Sequence, residues 1–300
     1  YRDRNFKYAN QAERILKEAG LETRICLAFD PDKNFELPED VVLHDLTQEL
    51  RDADLLICFG GDGTILHASK AATRAGIPVL GVNIGTLGFM AELESSELPM
   101  LSRLAQGDYT VEKRMMLHVK AEHEGQVILE EDALNDAVIT KGAVARTVQM
   151  AVSCDDVEIM SFGGDGVILC TPTGSTGYSI SAGGPIVEPT AENIIVTPIC
   201  AHDMRAKTVV TSSQREITVE IGRIGRKSAF LSVDGGALEK RWSLFPKAVP
   251  HSPQRTLNRK YSLVDRFSRT SSTNCFNHSS PPFLLGCFYF IEKQMPIKWF

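Results

Sequence analysis

The stretch Phe59-Gly60-Gly61-Asp62-Gly63-Thr64 lies between a run of apolar residues and a helical pattern. The apolar run 55–59 predicts a buried strand, and the pattern over 65–75 predicts a helix. Glycines let the backbone approach a ligand closely, and the amides that open a helix can bind an anion. The stretch therefore predicts a phosphate-binding turn with a carboxylate, Asp62, at its centre.

Two common glycine-rich motifs do not fit this turn. The dinucleotide pattern G-x-G-x-x-G fails because Leu66 stands where the third glycine is needed. The P-loop fails because no Gly-Lys-Ser/Thr follows. An ordinary strand-to-helix turn, in which Asp62 only caps the helix, is the simpler alternative. It does not account for the extra glycines, which carry an entropic cost that capping does not require.

The first part of the chain alternates short apolar runs with helical patterns. This alternation predicts an α/β domain over 1–107 with a doubly wound parallel sheet, whose ligands bind at the carboxyl ends of the strands. A second glycine-rich turn, Asn83–Phe89, follows the next strand, so we expect both turns at one edge of the sheet. The chain opens with a helix and no strand before it, and we expect its natural start to lie upstream.

After Gly107 the apolar period changes to two, which is typical of strands. We therefore predict a β-rich, β-sandwich-like C-terminal domain over 108–240. The segment 241–300 is rich in Ser, Pro and Asn and keeps neither period. We expect this segment to be an atypical, poorly ordered tail.

Composition narrows the classes of function. A net charge of -6 argues against a general nucleic-acid binder, and no apolar run is long enough to cross a membrane. The seven cysteines form no C-x-x-C pair, which argues against zinc and favours free thiols in a reducing cytoplasm. No cluster of side chains has transition-metal spacing, so we assign no metal ligands from the sequence.

The second domain carries a polar run, Thr171–Pro185, of hydroxyl and small residues with one aromatic, Tyr178. Such a run suits a nucleotide pocket, because the aromatic ring can stack and the hydroxyls can bond ribose or phosphate. A flexible polar loop is the open alternative. Asn135-Asp136 can hold two ribose hydroxyls, although a β-turn alone also explains it. A turn alone also explains the stretch containing Asp234, and the second Gly-Gly-Asp-Gly at 163–166, which precedes a strand, is compatible with a hairpin turn.

Taken together and in this order, these segments resemble NAD kinase. The resemblance rests on Gly60–Thr64, Asn83–Phe89, Leu134–Asp136, Asp165–Gly166 with the following Thr171–Gly184, and Thr197–Cys200 with His202. It covers about residues 1–238. The Gly-Gly-Asp-Gly-Thr motif is shared with phosphofructokinases and lipid kinases, whereas the Thr-Pro-Thr-Gly-Ser-Thr run is much more specific.

The resemblance implies ATP-dependent phosphorylation of the 2′-hydroxyl of the adenosine ribose of NAD, with Mg²⁺ or another divalent cation. Asp62 would be the general base. The residues expected to face the triphosphate are Gly60, Gly61, Gly63 and Thr64. The residues expected to hold NAD are Asn135, Asp136, Arg146, Asp165, Thr176, Gly177, Tyr178, Ser179, Ile180 and Ser181. The family also implies a homo-oligomer, either a dimer or a tetramer.

Three departures from the family pattern stand out. Gly177 replaces the usual Ala, Gly236 replaces a common Gln, and the segment that returns to the first domain is not recognisable after Leu238. Two other functions remain as alternatives. A lipid kinase of the diacylglycerol type would need an apolar cleft, for which 173–181 is too polar. A nucleotide-sensing protein would bind without turnover.

Overall fold

In the computed structural model of this chain, the structure describes residues 3, 6–27, 37–38, 41–85, 88–123, 125–142, 147–222, 229–237, 259–267 and 287–289. The chain divides into two compact units. One unit comprises residues 1–112 together with 269–300, and the other comprises 113–268. The change of unit after residue 112 follows closely on the boundary at 107 that the change of period predicts.

The first unit is an α/β domain. Its helices are α1 (Lys7–Glu18), α2 (Leu46–Glu49), α3 (Asp62–Ala75) and a 3-10 helix, Ser95–Gln106. Its first five strands are β1 (Ile25–Leu27), β2 (Leu43–His44), β3 (Leu56–Gly60), β4 (Val79–Asn83) and β5 (Leu93–Glu94). Every residue of β3 is buried, as expected for a central strand covered on both faces.

The second unit is a β-sandwich. Its strands are β6 (Met115–His123), β7 (Gln126–Ala133), β8 (Asp136–Lys141), β9 (Val148–Cys154), β10 (Val157–Gly164), β11 (Gly166–Cys170), β12 (Asn193–Ile199), β13 (Val209–Ser212), β14 (Ile217–Ile221), β15 (Ala229–Val233), β16 (Gly236–Ala237) and β17 (Arg259–Phe267). One sheet has the order β10-β9-β14-β17-β6-β7, and the other has the order β13-β12-β11-β8-β15-β16. Apolar residues from both sheets form one buried core. This confirms the sandwich prediction.

A last strand, β18 (Cys287–Tyr289), belongs to the sheet of the first unit, whose order is β2-β1-β18-β3-β4-β5. The pairs β1–β2, β3–β4 and β4–β5 are parallel, whereas β18 is antiparallel to both neighbours. The α/β prediction is confirmed, but the sheet is mixed rather than wholly parallel. The reason is that β18 arrives from the far end of the chain and not through a strand-helix-strand crossover.

Strands β17 and β18 correct the expectation for the segment 241–300. The Ser- and Pro-rich composition predicts no regular structure there, yet two stretches of the backbone pair with strands from earlier in the chain. In β17 the residues Tyr261, Leu263 and Phe267 recur at even spacing, which is a short period-two signal. The Ser- and Pro-rich composition around it hides that signal. The rest of 241–300 lies outside the described residues.

Two further features of the described residues bear on function. None of the helices in the described ranges is long and apolar enough to cross a membrane. Five cysteines, Cys26, Cys58, Cys154, Cys170 and Cys200, are free thiols.

Candidate active site

The glycine-rich turn joins β3 to α3 as predicted. Gly60 ends the strand, and Gly61 precedes the helix with an extended backbone and no side-chain cap. A Cβ at Gly60 would overlap the side chain of Thr64, so only glycine lets that threonine pack against the strand end. A Cβ at Gly63 would meet nothing within 4 Å, so the helix start presents an open backbone surface. Unpaired amides at such a surface can bind a phosphate.

Asp62, the first residue of α3, is held by the second glycine-rich turn. Its Oδ2 accepts a hydrogen bond from the Phe89 amide at 3.1 Å, and its Oδ1 accepts one from the Met90 amide at 3.2 Å. A Cβ at Gly88 would overlap Oδ1 and lie 2.9 Å from the carboxyl carbon, so a glycine is needed there. The parallel pairing of Gly60 with Asn83 brings the two turns to one sheet edge. That expectation is confirmed.

Glu94 is a functional candidate that sequence reasoning missed. The buried Asn83 donates through Nδ2 to both carboxylate oxygens of Glu94, each at 3.1 Å, and its Oδ1 accepts from the Gly85 amide at 3.3 Å. Glu94 thereby orients the residue that begins the second turn. Its only signal in the sequence is a carboxylate at the end of β5, the strand paired with β4.

In the second unit, the Asn135-Asp136 pair is bonded to the start of the hydroxyl run. Thr171 donates through its backbone N to Asn135 O at 2.9 Å and through Oγ1 to Leu134 O at 2.6 Å. The same Oγ1 accepts from the Gly174 amide at 3.0 Å. A Cβ at Gly174 would overlap the Asn135 backbone, so the two segments can approach this closely only because residue 174 is glycine.

The hydroxyl run forms two short helical turns, Thr173–Thr176 as a 3-10 helix and α4 (Tyr178–Ser181), instead of an open loop. Ser179 is fully buried and its Oγ lies 2.9 Å from Thr197 Oγ1, so it braces the turn. Tyr178 and Ile180 are exposed and available to a ligand. Gly177 lies at the junction of the two turns, where a Cβ would be 3.7 Å from Asn135 Nδ2.

Asp165 lies at a corner where the chain passes from β10 in one sheet to β11 in the other. The hairpin interpretation of the second Gly-Gly-Asp-Gly is therefore wrong. The carboxylate of Asp165 forms an ion pair with Lys141 Nζ at 2.6 Å, and its backbone bonds Lys141 N and Ile199 O. The remaining predicted NAD-binding residue, Arg146, lies outside the described residues.

The side chains of Asn135 and Asp136 are both prepared for a polar ligand. Within the described ranges the buried Oδ1 of Asn135 has no hydrogen-bond partner, a state that costs free energy until a donor arrives. Burial, and secondarily the negative charge of Asp234, raise the pKa of Asp136 to about 6. Above that pH Asp136 is a buried carboxylate, which favours binding of hydroxyl donors.

Replacing Asp136 by asparagine is expected to stabilise the ligand-free protein at neutral pH and to weaken NAD binding. A carboxyl whose folded pKa is raised binds more protons folded than unfolded, so stability falls as pH rises from about 4 to about 6. Asp136→Asn carries no titrating carboxyl and so does not lose this stability. At pH 8 we expect its free energy of unfolding to exceed that of the wild type by up to about 3 kcal/mol. Urea denaturation at pH 4, 6 and 8 measures it.

The exposed Asp155 supplies a control of opposite sign for this experiment. Hydrogen bonding from Arg215 holds the pKa of Asp155 below its usual value, so Asp155→Asn is expected to lose stability above pH 4. Equal pH dependence of unfolding in the wild type and Asp136→Asn would contradict the burial argument.

Cys170, at the end of β11, is not a nucleophile. Burial raises the pKa of its thiol to about 12. A hydrogen bond from Ser179 lowers this pKa, and the negative charge of Asp136 raises it further. A thiol in this state carries almost no thiolate at neutral pH. The site therefore contains positioned carboxylates, amides and hydroxyls, which suit phosphoryl transfer better than covalent catalysis through sulfur.

Known proteins share both units. The sequence profile of the ATP-NAD kinase N-terminal domain matches residues 6–109, and that of the C-terminal domain matches residues 134–244. A curated NAD kinase of Ruminiclostridium cellulolyticum is 36% identical over 236 residues, which cover 78% of this chain and 80% of the relative.

Solved structures share the fold. The crystal structure of yeast NADH kinase complexed with NADH aligns over 96% of this chain and 73% of its own, with a TM-score of 0.64 and 24% identity. An Archaeoglobus fulgidus NAD kinase in complex with ATP aligns over 87% of this chain and 86% of its own, with a TM-score of 0.63 and 24% identity. The motifs quoted from the sequence, the two matched domains and the identity with a curated relative agree: the chain belongs to the NAD kinase family.

Proposed function

We propose that this chain transfers the γ-phosphoryl group of ATP to the 2′-hydroxyl of the adenosine ribose of NAD, giving NADP and ADP. The observation that carries the proposal is the placement of Asp62. Its carboxylate stands at the start of α3, between two glycine-rich turns, and accepts backbone hydrogen bonds through both oxygens. A catalytic base requires positioning of this kind.

The chain has a residue to accept the proton and backbone amides to stabilise the charge of the triphosphate during this transfer. The O2′–Pγ bond forms, the bond from Pγ to the ADP oxygen breaks, and the hydroxyl proton passes to the carboxylate of Asp62. A free hydroxyl is a weak acid, so this proton leaves as the new bond forms. The amides of the turn from Gly60 to Gly63 face the triphosphate and stabilise its charge, whereas the Thr64 amide donates to Gly61 O at 2.8 Å.

The second unit supplies groups that can hold NAD. Asn135 Oδ1 is a buried acceptor that a ribose hydroxyl would satisfy, and ionised Asp136 beside it is a stronger acceptor. Tyr178 presents an exposed ring on which a base can stack. A lipid kinase would instead require an apolar cleft for its substrate. The residues around Asn135 and Asp136 in this unit are polar.

The groups present also suit Mg²⁺. In the described ranges no three His, Cys, Asp or Glu side chains converge on a metal site. Mg²⁺ in phosphoryl-transfer enzymes is held largely by the substrate's phosphates and water, so the triphosphate would supply most of its ligands, with the ion near Asp62. When bound, the ion neutralises charge on the phosphates.

The purified chain, incubated with NAD, ATP and Mg²⁺, is expected to form NADP and ADP in equal amounts. Liquid chromatography of the nucleotides measures both products. NAD binding without any NADP would overturn the kinase proposal in favour of a nucleotide-sensing protein. Phosphorylation of diacylglycerol in place of NAD would favour the lipid kinase.

We also propose that the enzyme is a cytoplasmic homo-oligomer. The free thiols of Cys26, Cys58, Cys154, Cys170 and Cys200 support a reducing compartment. The oligomeric state rests on the family resemblance, and sedimentation equilibrium tests it: a monomer at micromolar concentration would contradict it.

A further inference from the structure

We propose that Asp234 is a positioning residue for NAD, which acts by fixing the backbone that carries Asn135 and Asp136. The inference rests on the proposed function, since it concerns how that function's substrate is held. It is drawn from hydrogen bonds that link the side chain of Asp234 to residues 134–136, about a hundred residues earlier in the chain.

The carboxylate of Asp234 accepts three consecutive backbone N–H groups. Its Oδ2 accepts from Leu134 at 2.9 Å, and its Oδ1 accepts from Asn135 at 2.8 Å and from Asp136 at 3.2 Å. The Asp234 amide in turn donates to Asp136 O at 2.9 Å. The three bonds to the carboxylate are charge-assisted and stronger than neutral ones, and together with the backbone bond they leave the segment little freedom.

The fixed segment is the place where the chain leaves one sheet for the other. Strand β7 ends at Ala133 in the first sheet of the sandwich, and β8 begins at Asp136 in the second. Residues 134–135 have no strand partner of their own at this crossing, so their amides need another acceptor. Asp234 is that acceptor. Its hydrogen bonds fix the backbone orientation and thereby the direction in which the side chains of Asn135 and Asp136 point.

The turn that contains Asp234 does not by itself require an aspartate. Val233 pairs with Gly236, so Asp234-Gly235 is a two-residue hairpin with φ of 51° and 70°. Asn-Gly forms such turns at least as readily as Asp-Gly. A carboxylate becomes necessary only because its two oxygens must serve three amides. Because the carboxylate is turned towards these three amides, Asp234 acts on NAD through Asn135 and Asp136.

The unit contains a second hairpin of the same kind, which supplies a matched control. Asp155-Asp156 joins β9 to β10, with φ of 47° and 65°. The Asp155 carboxylate also accepts a backbone amide, that of Glu216, at 2.9 Å. It differs from Asp234 in that its partners do not belong to the proposed NAD site.

The test compares Asp234→Asn, Asp234→Gly and Asp155→Asn in the full chain. Asn and Gly both tolerate positive φ, so the hairpin is retained. Asn keeps one acceptor oxygen and Gly keeps none. We expect the dissociation constant for NAD, measured by calorimetry, to rise about 10-fold for Asp234→Asn and about 100-fold for Asp234→Gly. The KM for NAD follows it, while the KM for ATP stays within about twofold of the wild type.

The outcomes separate this inference from the proposed function. If the wild type forms NADP and both Asp234 variants bind NAD as the wild type does, the positioning role is overturned and the kinase stands. Unfolding of the isosteric Asp234→Asn, or an equal rise of both KM values, would also overturn it, because the residue would then be structural. An equal loss of NAD affinity in Asp155→Asn would make the effect general to such hairpins. A wild type that forms no NADP refutes the proposed function independently of these comparisons.

Discussion

Replacing Asp62 by asparagine is expected to lower kcat for NADP formation by about 10²- to 10⁴-fold, with NAD binding retained. An amide cannot take the proton of the ribose hydroxyl, and it offers one acceptor oxygen where the carboxylate offers two. Steady-state kinetics measure kcat, and calorimetry measures NAD binding separately. Turnover within threefold of the wild type would exclude Asp62 as the base.

A second aspartate at a helix start provides the control for this variant. Asp45 is exposed and accepts the Gln48 amide at 2.8 Å as the N-cap of α2. Asparagine caps helices as well as aspartate does, so Asp45→Asn is expected to keep both kcat and stability. A large loss of turnover in both variants would point to helix capping and not to proton transfer.

The variant Gly88→Ala separates the chemistry of Asp62 from its position. Its Cβ would overlap Asp62 Oδ1, so the carboxylate has to move although its ability to accept a proton is unchanged. We expect kcat to fall by about 10- to 100-fold, less than for Asp62→Asn, because misplacement of a base by about an ångström has an effect of that size. An unchanged kcat in Gly88→Ala would show that the second turn does not position the base.

Replacing Gly174 by alanine is expected to have the largest effect on stability. The three atoms nearest to the added Cβ all belong to the backbone of Asn135, including its Cα at 2.8 Å, and backbone cannot move aside as a side chain can. Overpacking of this kind costs about 3 kcal/mol, which corresponds to roughly 6–12 °C in melting temperature for a domain of this size. The NAD dissociation constant should rise at least about tenfold, because Asn135 is displaced.

Gly63→Ala is the matched control for stability. Gly63 lies in the first turn of α3, and its added Cβ would meet nothing within 4 Å. Because alanine favours a helix over glycine, the melting temperature should stay the same or rise. Differential scanning calorimetry compares the two variants. A melting temperature of Gly174→Ala equal to that of the wild type would mean that the hydroxyl run can move away from Asn135.

The local patterns were sufficient to predict much of the fold. Period-two patterns from Met116 onward predicted a β-rich unit, because side chains on strands alternate between faces. The continuous apolar run before Gly60 predicted a buried strand. The same patterns failed for β17 and β18, since a short strand in a Ser- and Pro-rich segment is recognised by its partner strands and not by its own composition. The ion pair between Lys141 and Asp165 was equally invisible.

By itself, the sequence determined which chemical groups this protein has and in what order: a carboxylate among glycines, an Asn-Asp pair and a run of hydroxyls, each beside an element of recognisable period. Only the tertiary structure decided which of them act together. Asp234 lies about a hundred residues from the amides that it holds, and the pKa of Asp136 depends on burial by strands that no local pattern pairs. The physical reason is that hydrogen bonds and desolvation depend on distance in space, whereas periodicity reports only on neighbours along the chain.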